Sequence, residues 1–282
     1  MKSSRIGRLL FVGLLVMVGL VPAPPAGSTG STLASSSAPS STAAALTWKT
    51  YRRVLDDGRA YFVRGPSCST RAAAGCSDQL AKDRGLVFFL HGAGGAEDGD
   101  TARSWLQGLN GFGPDTIFVY ALSKDGTLRW DAGFCCTEEP VDDVGYVLDV
   151  LDDIGKTWAI NPDRIGATGL SNGGMLSLRL ACERPDVFPV VAALAATYVG
   201  PCDTAKVKIG QWHGAADPRV PLDGGTVTLL GQEREIPSVA SLAARMKGGS
   251  TFMLRVIPRR EHSMTWKDFR HSTTWLLDTM RH

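Results

Sequence analysis

The pentapeptide Gly169-Leu170-Ser171-Asn172-Gly173 is the feature that most constrains how this chain can fold. It follows the apolar stretch 164–168 and precedes residues 174–182, where Met, Leu and Ala recur at helical spacing. The pattern G-x-S-x-G between a strand and a helix predicts a sharp turn that exposes the serine hydroxyl. Such a turn strains the serine backbone and brings neighbouring backbone close, which favours glycine on either side. Ser171 is therefore a candidate nucleophile, although an ordinary strand–helix turn would also use small residues.

The same turn predicts where a developing negative charge would be stabilised. Asn172 begins the helix, so its backbone N–H would point at an oxyanion next to the serine. A second donor is expected where the apolar strand 85–90 runs into His91-Gly92-Ala93-Gly94-Gly95. We assign this donor to the N–H of Ala93, because a glycine-rich turn after a buried strand exposes backbone N–H groups. The alternative is a plain loop at the end of a strand.

A serine hydroxyl needs a histidine to accept its proton and an acid to orient that histidine. Asp217 follows the apolar stretch 207–212, at the loop position expected of the acid, and Asp223 is the second choice. His262 lies in the loop between a predicted strand and the last helix, as the base should. The sequence thus predicts a triad of Ser171, Asp217 and His262.

The remaining periodicity indicates an α/β protein. Short apolar strands alternate with amphipathic helices, which predicts a mostly parallel, doubly wound sheet with helices on both faces. A hairpin is predicted at Asp56-Asp57-Gly58. The predicted strands cover 85–90, 116–120, 164–168, 189–196, 207–212 and 251–257, and the predicted helices cover 101–109, 144–158, 174–182, 238–246 and 267–280.

The N-terminus resembles a secretion signal. Three basic residues precede an unbroken apolar run of 13 residues, Leu9 to Val21, which suits a signal peptide and is short for a membrane span. We predict a signal peptide over 1–26, a Ser/Ala/Pro-rich disordered linker over 27–47 and a catalytic domain over 48–282. A retained membrane anchor is the alternative for the first segment.

Charge and cysteine usage narrow the function classes. Without the basic residues of the signal, 27 Lys and Arg stand against 28 Asp and Glu, so neither a nucleic-acid partner nor an anionic membrane is expected. Six cysteines in an exported chain predict disulfides, and their spacing does not resemble a zinc site. Cys68 and Cys76 should close a surface loop. Cys135 and Cys136 are adjacent, so each is expected to bond elsewhere, with Cys182 and Cys202 as candidate partners.

Six motifs occur together in this chain: His91–Gly95, Trp130–Cys136, Val141–Gly145, Asn161–Arg164, Gly169–Gly174 and His213–Asp217. This combination resembles one known group, the secreted polyhydroxybutyrate depolymerase-like and feruloyl esterase-like α/β-hydrolases. The resemblance spans about 49 to 282 and implies an α/β-hydrolase fold, a secreted serine esterase and the triad named above, without metal or organic cofactor. Two positions depart from the family pattern: Trp266 is shifted relative to His262, and Asp131 stands where Asn is common.

The resulting hypothesis is a monomeric carboxylic ester hydrolase acting on feruloyl, acetyl or polyhydroxyalkanoate esters, as small molecules or polymers. Trp130 is predicted to bind substrate in the acyl pocket, with a place in the core as the alternative. Two other functions stay open. One is a serine peptidase of the prolyl-oligopeptidase type, which uses the same fold and triad order, and the other is a non-catalytic secreted binding protein on a hydrolase scaffold.

Overall fold

The strand that leads into His91 lies inside an eight-stranded sheet. The computed structural model describes residues 46–68, 75–95, 98–124, 128–203, 206–229 and 231–281. The predicted signal peptide and residues 27–45 of the predicted linker lie outside these ranges. The first strand begins at Leu46, slightly before the predicted domain start. Among the described helices, none has both the length and the hydrophobicity that a membrane crossing requires.

The described elements alternate much as the sequence predicts. The strands are β1 Leu46–Val54, β2 Ala60–Cys68, β3 Arg84–Leu90, β4 Thr116–Ala121, β5 Ile160–Leu170, β6 Val190–Leu194, β7 Lys208–Gly214, β8 Gly225–Leu229, β9 Gln232–Ile236 and β10 Thr251–Ile257. The helices are α1 Cys76–Leu80, α2 Gly99–Gly108, α3 Asp143–Gly155, α4 Asn172–Glu183, α5 Ser241–Arg245 and α6 Trp266–Thr279.

The main sheet has the order β1-β2-β4-β3-β5-β6-β7-β10. β1 pairs with β2 and β2 with β4 in antiparallel fashion, whereas the pairs from β4 to β10 are parallel. A separate two-stranded sheet is formed by β8 and β9. The predicted mostly parallel sheet is thereby confirmed. Its parallel strands end at one edge, which is where α/β sheets bind ligands.

Helices cover both faces of this sheet because its central strands are buried on both sides. Along β3, Leu86 and Phe88 belong to one apolar cluster, and Val87 and Phe89 belong to the other. The first cluster includes residues of α3 and α4, and the second includes residues of α2 and α6. This alternation follows from the period of two in a strand.

Some elements differ from the prediction. The helix predicted over 238–246 is shortened to α5, because residues 238–241 form a turn in which Ser241 N–H donates to the Ser238 carbonyl (3.0 Å). The short helix α1 and the hairpin β8–β9 are not predicted at all. The sequence of β9, Gln-Glu-Arg-Glu-Ile, is mostly polar and its side chains are largely exposed, so it carries no apolar signal.

The disulfides confirm one predicted pair and correct the others. Cys68 bonds Cys76 as predicted. The adjacent Cys135 and Cys136 bond each other, and Cys182 bonds Cys202, so the prediction that the adjacent cysteines reach elsewhere is wrong. Cys182 lies near the end of α4, and its Cα is only 4.7 Å from that of Cys202. These two cysteines can therefore bond each other, and neither needs Cys135 or Cys136 as a partner.

The turn between β5 and α4 brings three backbone segments unusually close. A Cβ on Gly169 would overlap the backbone of Gly173, and a Cβ on Gly173 would overlap the carbonyl oxygens of Leu90 and His91. The three nearest atoms at each of these two positions belong to the backbone, so no side-chain rotation could relieve the clash. The predicted requirement for glycine on both sides of Ser171 is confirmed by this packing.

We expect Gly173→Ala to destabilise the fold by at least about 3 kcal/mol, because the added methyl must displace the β3 backbone. Gly155→Ala at the end of α3 is the matched control. A Cβ there meets nothing within 4 Å, so this variant should be neutral or slightly stabilising. Urea unfolding measures both. Equal stabilities for the two variants would contradict the close approach of the Gly173 backbone to that of Leu90 and His91.

Replacing Cys182 and Cys202 together by Ala should lower the free energy of unfolding by about 3 kcal/mol, since the cross-link closes a loop of about 20 residues. For a domain of this size, that corresponds to a fall in Tm of roughly 6–12 °C. Thermal unfolding without reductant measures it, and peptide mapping checks the remaining two bonds. An unchanged Tm would contradict the pairing.

Candidate active site

Ser171 occupies a backbone conformation that a side chain rarely adopts, with φ 53° and ψ −120°. Two hydrogen bonds hold it there. Its N–H donates to the Leu194 carbonyl of β6 (2.8 Å), and its carbonyl accepts from the N–H of Met175 in α4 (2.8 Å). The hydroxyl therefore stands at the tip of the turn between β5 and α4, as the sequence predicts.

The structure brings Ser171, His262 and Asp217 together. Nε2 of His262 lies 2.8 Å from Oγ of Ser171, and Nδ1 of His262 lies 2.7 Å from Oδ2 of Asp217. His262 follows β10 and Asp217 follows β7, and these two strands are neighbours in the sheet. The carboxylate must accept from Nδ1–H, which leaves Nε2 free to accept the proton of the serine hydroxyl.

Asp217 is buried and well supplied with hydrogen bonds. Its second oxygen, Oδ1, accepts from the backbone N–H groups of Arg219 and Val220, both at 2.9 Å. Burial by itself raises the pKa of this carboxyl, but the hydrogen bonds from His262 and from the Val220 N–H outweigh it, so the pKa is lowered below its ordinary value. Asp223, the second choice for the acid, is exposed.

A second histidine, His213, lies behind the same carboxylate. It is fully buried, and its Nε2 donates to the Val220 carbonyl (2.7 Å) while lying 3.6 Å from Oδ2 of Asp217. Burial lowers the pKa of His213, which favours the neutral ring. His213 does not belong to the described residues that line the cavity with Ser171 and His262.

The predicted oxyanion residues Ala93 and Asn172 line the same cavity as Ser171 and His262, with a volume of about 270 Å³. Asn172 is the first residue of α4, so its N–H has no acceptor within the helix. The remaining lining includes residues that the sequence did not single out, namely Cys136, Met175, Arg219, Val220, Thr228 and Leu229.

Two parts of this wall were missed for different reasons. Thr228 and Leu229 belong to β8, whose Gly-Thr-Val-Thr-Leu sequence alternates in polarity and could have been read as a strand. Cys136 reaches the cavity as part of the bonded pair with Cys135, which sequence reasoning had separated.

Trp130 does not lie on the cavity wall, contrary to the prediction that it binds substrate. Its side chain is 0% exposed and packs in the core, with its ring centroid 4.8 Å from that of His91. Its indole N–H donates to the His91 carbonyl (2.9 Å), and its backbone pairs with the side chain of Asn172. Trp130 therefore occupies the core, which is the alternative to the predicted substrate contact. The His91 carbonyl supplies the partner that a buried indole N–H requires.

A second cavity of about 270 Å³ lies beside the first and shares Gly92, Ala93 and Leu170 with it. Its other walls are largely aromatic: Phe89, His91, Trp105, Tyr120 and Phe269.

Within the described ranges, no group of three or more His, Cys, Asp or Glu side chains is arranged to hold a metal ion.

Sequence comparison finds relatives named as esterases. Putative esterase NocK of Nocardia uniformis is 29% identical over 57% of this chain and 50% of its own length. Feruloyl esterase C of Emericella nidulans is 32% identical, covering 53% and 54%. An acetylxylan esterase of Coprinopsis cinerea is 30% identical, covering 55% and 40%. The chain thus spans about half the length, or less, of these curated relatives. The prolyl oligopeptidase family profile matches residues 137–201.

Solved structures show the same fold. An S-formylglutathione hydrolase from Staphylococcus aureus superposes with a TM-score of 0.54 at 13% identity, covering 83% of this chain and 98% of that one. A ferulic acid esterase from Anaeromyces mucronatus gives a TM-score of 0.50 at 16% identity, covering 83% and 90%. The fold is that of the α/β-hydrolases. The sequence matches add a likeness to proteins named feruloyl esterase and acetylxylan esterase over about half of the chain.

Proposed function

We propose that this protein is a secreted serine hydrolase of carboxylic esters. The observation that carries the proposal is the continuous hydrogen-bonded series from Oγ of Ser171 through His262 to Asp217, at the wall of a cavity. This arrangement matches the roles of nucleophile, base and orienting acid. Relatives named feruloyl esterase and acetylxylan esterase agree with it.

The reaction proceeds in two steps. Oγ of Ser171 attacks the ester carbonyl carbon while Nε2 of His262 takes the hydroxyl proton. The tetrahedral intermediate collapses, the C–O bond to the alcohol breaks, and His262 returns the proton to the departing alcohol. Water then attacks the acyl-enzyme with the same base, which releases the acid and restores the serine. Asp217 holds the imidazole orientation and stabilises the imidazolium.

Negative charge on the carbonyl oxygen is met by the N–H groups of Asn172 and Ala93. The Asn172 N–H lies at the N-terminus of α4, where the helix dipole adds to its effect. One such donor contributes roughly 10²–10³ in kcat.

The substrate is an ester with an aromatic acyl group in our preferred assignment. The aromatic-walled cavity adjoins the Ser171 cavity at Gly92, Ala93 and Leu170, so one ester can reach into both. Feruloyl esters fit this description, whereas acetyl esters need only the first cavity and 3-hydroxybutyrate oligomers have no ring. Turnover of methyl ferulate beside 3-hydroxybutyrate oligomers decides among these classes.

A serine peptidase of the prolyl-oligopeptidase type is the second candidate, favoured by the family profile over residues 137–201. That segment contains the turn with Ser171, which esterases and peptidases of this fold share. An aminoacyl-amide substrate assayed beside methyl ferulate separates the two. Labelling of Ser171 by a fluorophosphonate separates either enzyme from a binding protein.

Export is proposed from the basic and apolar N-terminus. The three disulfides among the described residues support it, since such bonds persist in oxidising compartments. N-terminal sequencing of the protein from culture medium tests it: a start near residue 27 is expected, and an intact Met1 in a cell-associated protein contradicts it.

We expect Ser171→Ala and His262→Ala to lower kcat/KM for methyl ferulate at least about 10³-fold, and Asp217→Asn about 10²–10⁴-fold. His271→Ala and Asp223→Asn are matched controls at exposed positions and should retain wild-type activity. Circular dichroism verifies that every variant is folded. A folded Ser171→Ala variant with undiminished turnover would exclude the nucleophile.

The ionised state of Asp217 predicts a dependence of stability on pH. Because its folded pKa lies below the unfolded value of about 3.9, its contribution is complete above that value and is lost as pH falls through the folded pKa. From pH 7 to pH 3, the wild type should therefore lose more unfolding free energy than Asp217→Asn, measured with urea. Asp223→Asn should follow the wild type. Parallel curves for wild type and Asp217→Asn would contradict the charged role.

A further inference from the structure

We propose that Trp130, together with the side chain of Asn172, is the positioning device for both oxyanion N–H groups. The inference rests on the proposed function, because it concerns the same reaction. It turns on one residue that binds two separate segments: the one that carries Ala93 and the start of α4.

The contact with α4 is a reciprocal pair of hydrogen bonds. The backbone N–H of Trp130 donates to Oδ1 of Asn172 (2.7 Å), and Nδ2 of Asn172 donates to the Trp130 carbonyl (2.9 Å). A backbone N–H can only donate and a carbonyl can only accept, so these contacts fix the orientation of the amide group. Both residues are buried. The first residue of α4 lines the cavity and is held through its side chain, while its own N–H has no acceptor within the helix.

Residues 128–130 also contact the turn that carries the other donor, Ala93. The indole N–H of Trp130 donates to the His91 carbonyl (2.9 Å), two residues before Ala93. The N–H of Gly94 donates to the Leu128 carbonyl (2.9 Å), one residue after Ala93. The turn that carries Ala93 is therefore fixed on both sides by residues 128–130.

Residues 128–130 are held in turn by the hydrogen bonds of the next residue, Asp131. The N–H of Asp131 donates to the buried carboxylate of Asp143 (2.6 Å), and the Asp131 carbonyl accepts from Arg179 of α4 (3.0 Å). In addition, Oδ2 of the Asp131 side chain accepts from the Val141 N–H (3.1 Å). Trp130 therefore cannot shift without breaking several hydrogen bonds in a region of low dielectric, where each is costly to lose.

Positioning of this kind acts on the transition state more than on substrate binding. An oxyanion donor is effective only when it meets the oxygen at about 2.7–3.1 Å, so a displaced turn lowers kcat while KM changes little. If Trp130 and the Asn172 side chain only stabilised the fold, the effect of replacing them would not depend on which substrate atom accepts the oxyanion hydrogen bonds. Replacing the ester carbonyl oxygen by sulfur probes this dependence, because thiocarbonyl sulfur is a weak acceptor.

The experiment compares methyl ferulate with its thionoester in wild type, Asn172→Ala and Trp130→Phe. Trp130→Phe keeps the backbone pair and an aromatic ring but removes the bond to the His91 carbonyl, so it remains informative if Asn172→Ala does not fold. Ser177→Ala is the matched control: it loses a buried hydrogen bond to the Gly173 carbonyl, also within α4, and should keep the wild-type ratio of ester to thionoester turnover.

We expect kcat for the ester to fall about 10- to 100-fold in Asn172→Ala and in Trp130→Phe, with KM within about 3-fold. Thionoester turnover should fall much less, so the ester-to-thionoester ratio drops. An unchanged ratio in folded variants, or wild-type activity in both, would overturn the inference.

Failure of the proposed function gives a different result. If the wild type hydrolyses no ester, the esterase proposal fails, but fluorophosphonate labelling of Ser171 still develops charge on a phosphoryl oxygen at the same donors. Slower labelling of Asn172→Ala than of Ser177→Ala then supports the positioning role, and equal labelling rates overturn it.

Discussion

The strained backbone of Ser171 is the constraint on which the site depends. A non-glycine residue at φ 53° costs of the order of 1–3 kcal/mol, and it persists only because the surroundings leave no alternative. The hydrogen bonds to Leu194 and Met175 fix both sides of the turn, and Gly169 and Gly173 let α4 begin directly against β3. A buried parallel sheet supplies the rigidity that holds this conformation.

The same sheet assembles the other groups without any segment having to travel far. β3, β5, β7 and β10 all run parallel, so the segments that follow them meet at one edge. Those segments carry Ala93, Ser171, Asp217 and His262 respectively. Residues separated by 91 positions in the chain, such as Ser171 and His262, are thereby brought to 2.8 Å.

The meeting of Ser171, Asp217 and His262 could be predicted from the sequence because each residue is tied to a local signal. Gly-x-Ser-x-Gly marks its own turn, and Asp217 and His262 each follow a recognisable apolar strand, so chain order and strand ends select them. The cysteine pairing could not be predicted in this way. It depends on Cys182 and Cys202 meeting across a loop, and the distance between them is set by tertiary packing. The hairpin β8–β9 was not recognised as a pair because the side chains of β9 are mostly polar, although β8 supplies part of the cavity wall.

Trp130 shows why an aromatic residue near a site is hard to interpret from sequence. An aromatic side chain has the same apolar character whether it faces a ligand or the core, and only the partners of its indole and backbone distinguish the two. Here these partners are His91, two residues before the predicted donor Ala93, and the side chain of Asn172, the other predicted donor. In the proposed positioning role, Trp130 acts on the site through these two hydrogen-bonded contacts.

Trapping the acyl-enzyme would identify the residue that attacks the ester. Methyl ferulate or 4-nitrophenyl acetate is mixed with the protein, the reaction is quenched in acid, and the digest is analysed by mass spectrometry. The proposed mechanism predicts an acyl group on Ser171 that disappears in His262→Ala. Turnover accompanied by acylation of a different residue, or with Ser171 never modified, would contradict it.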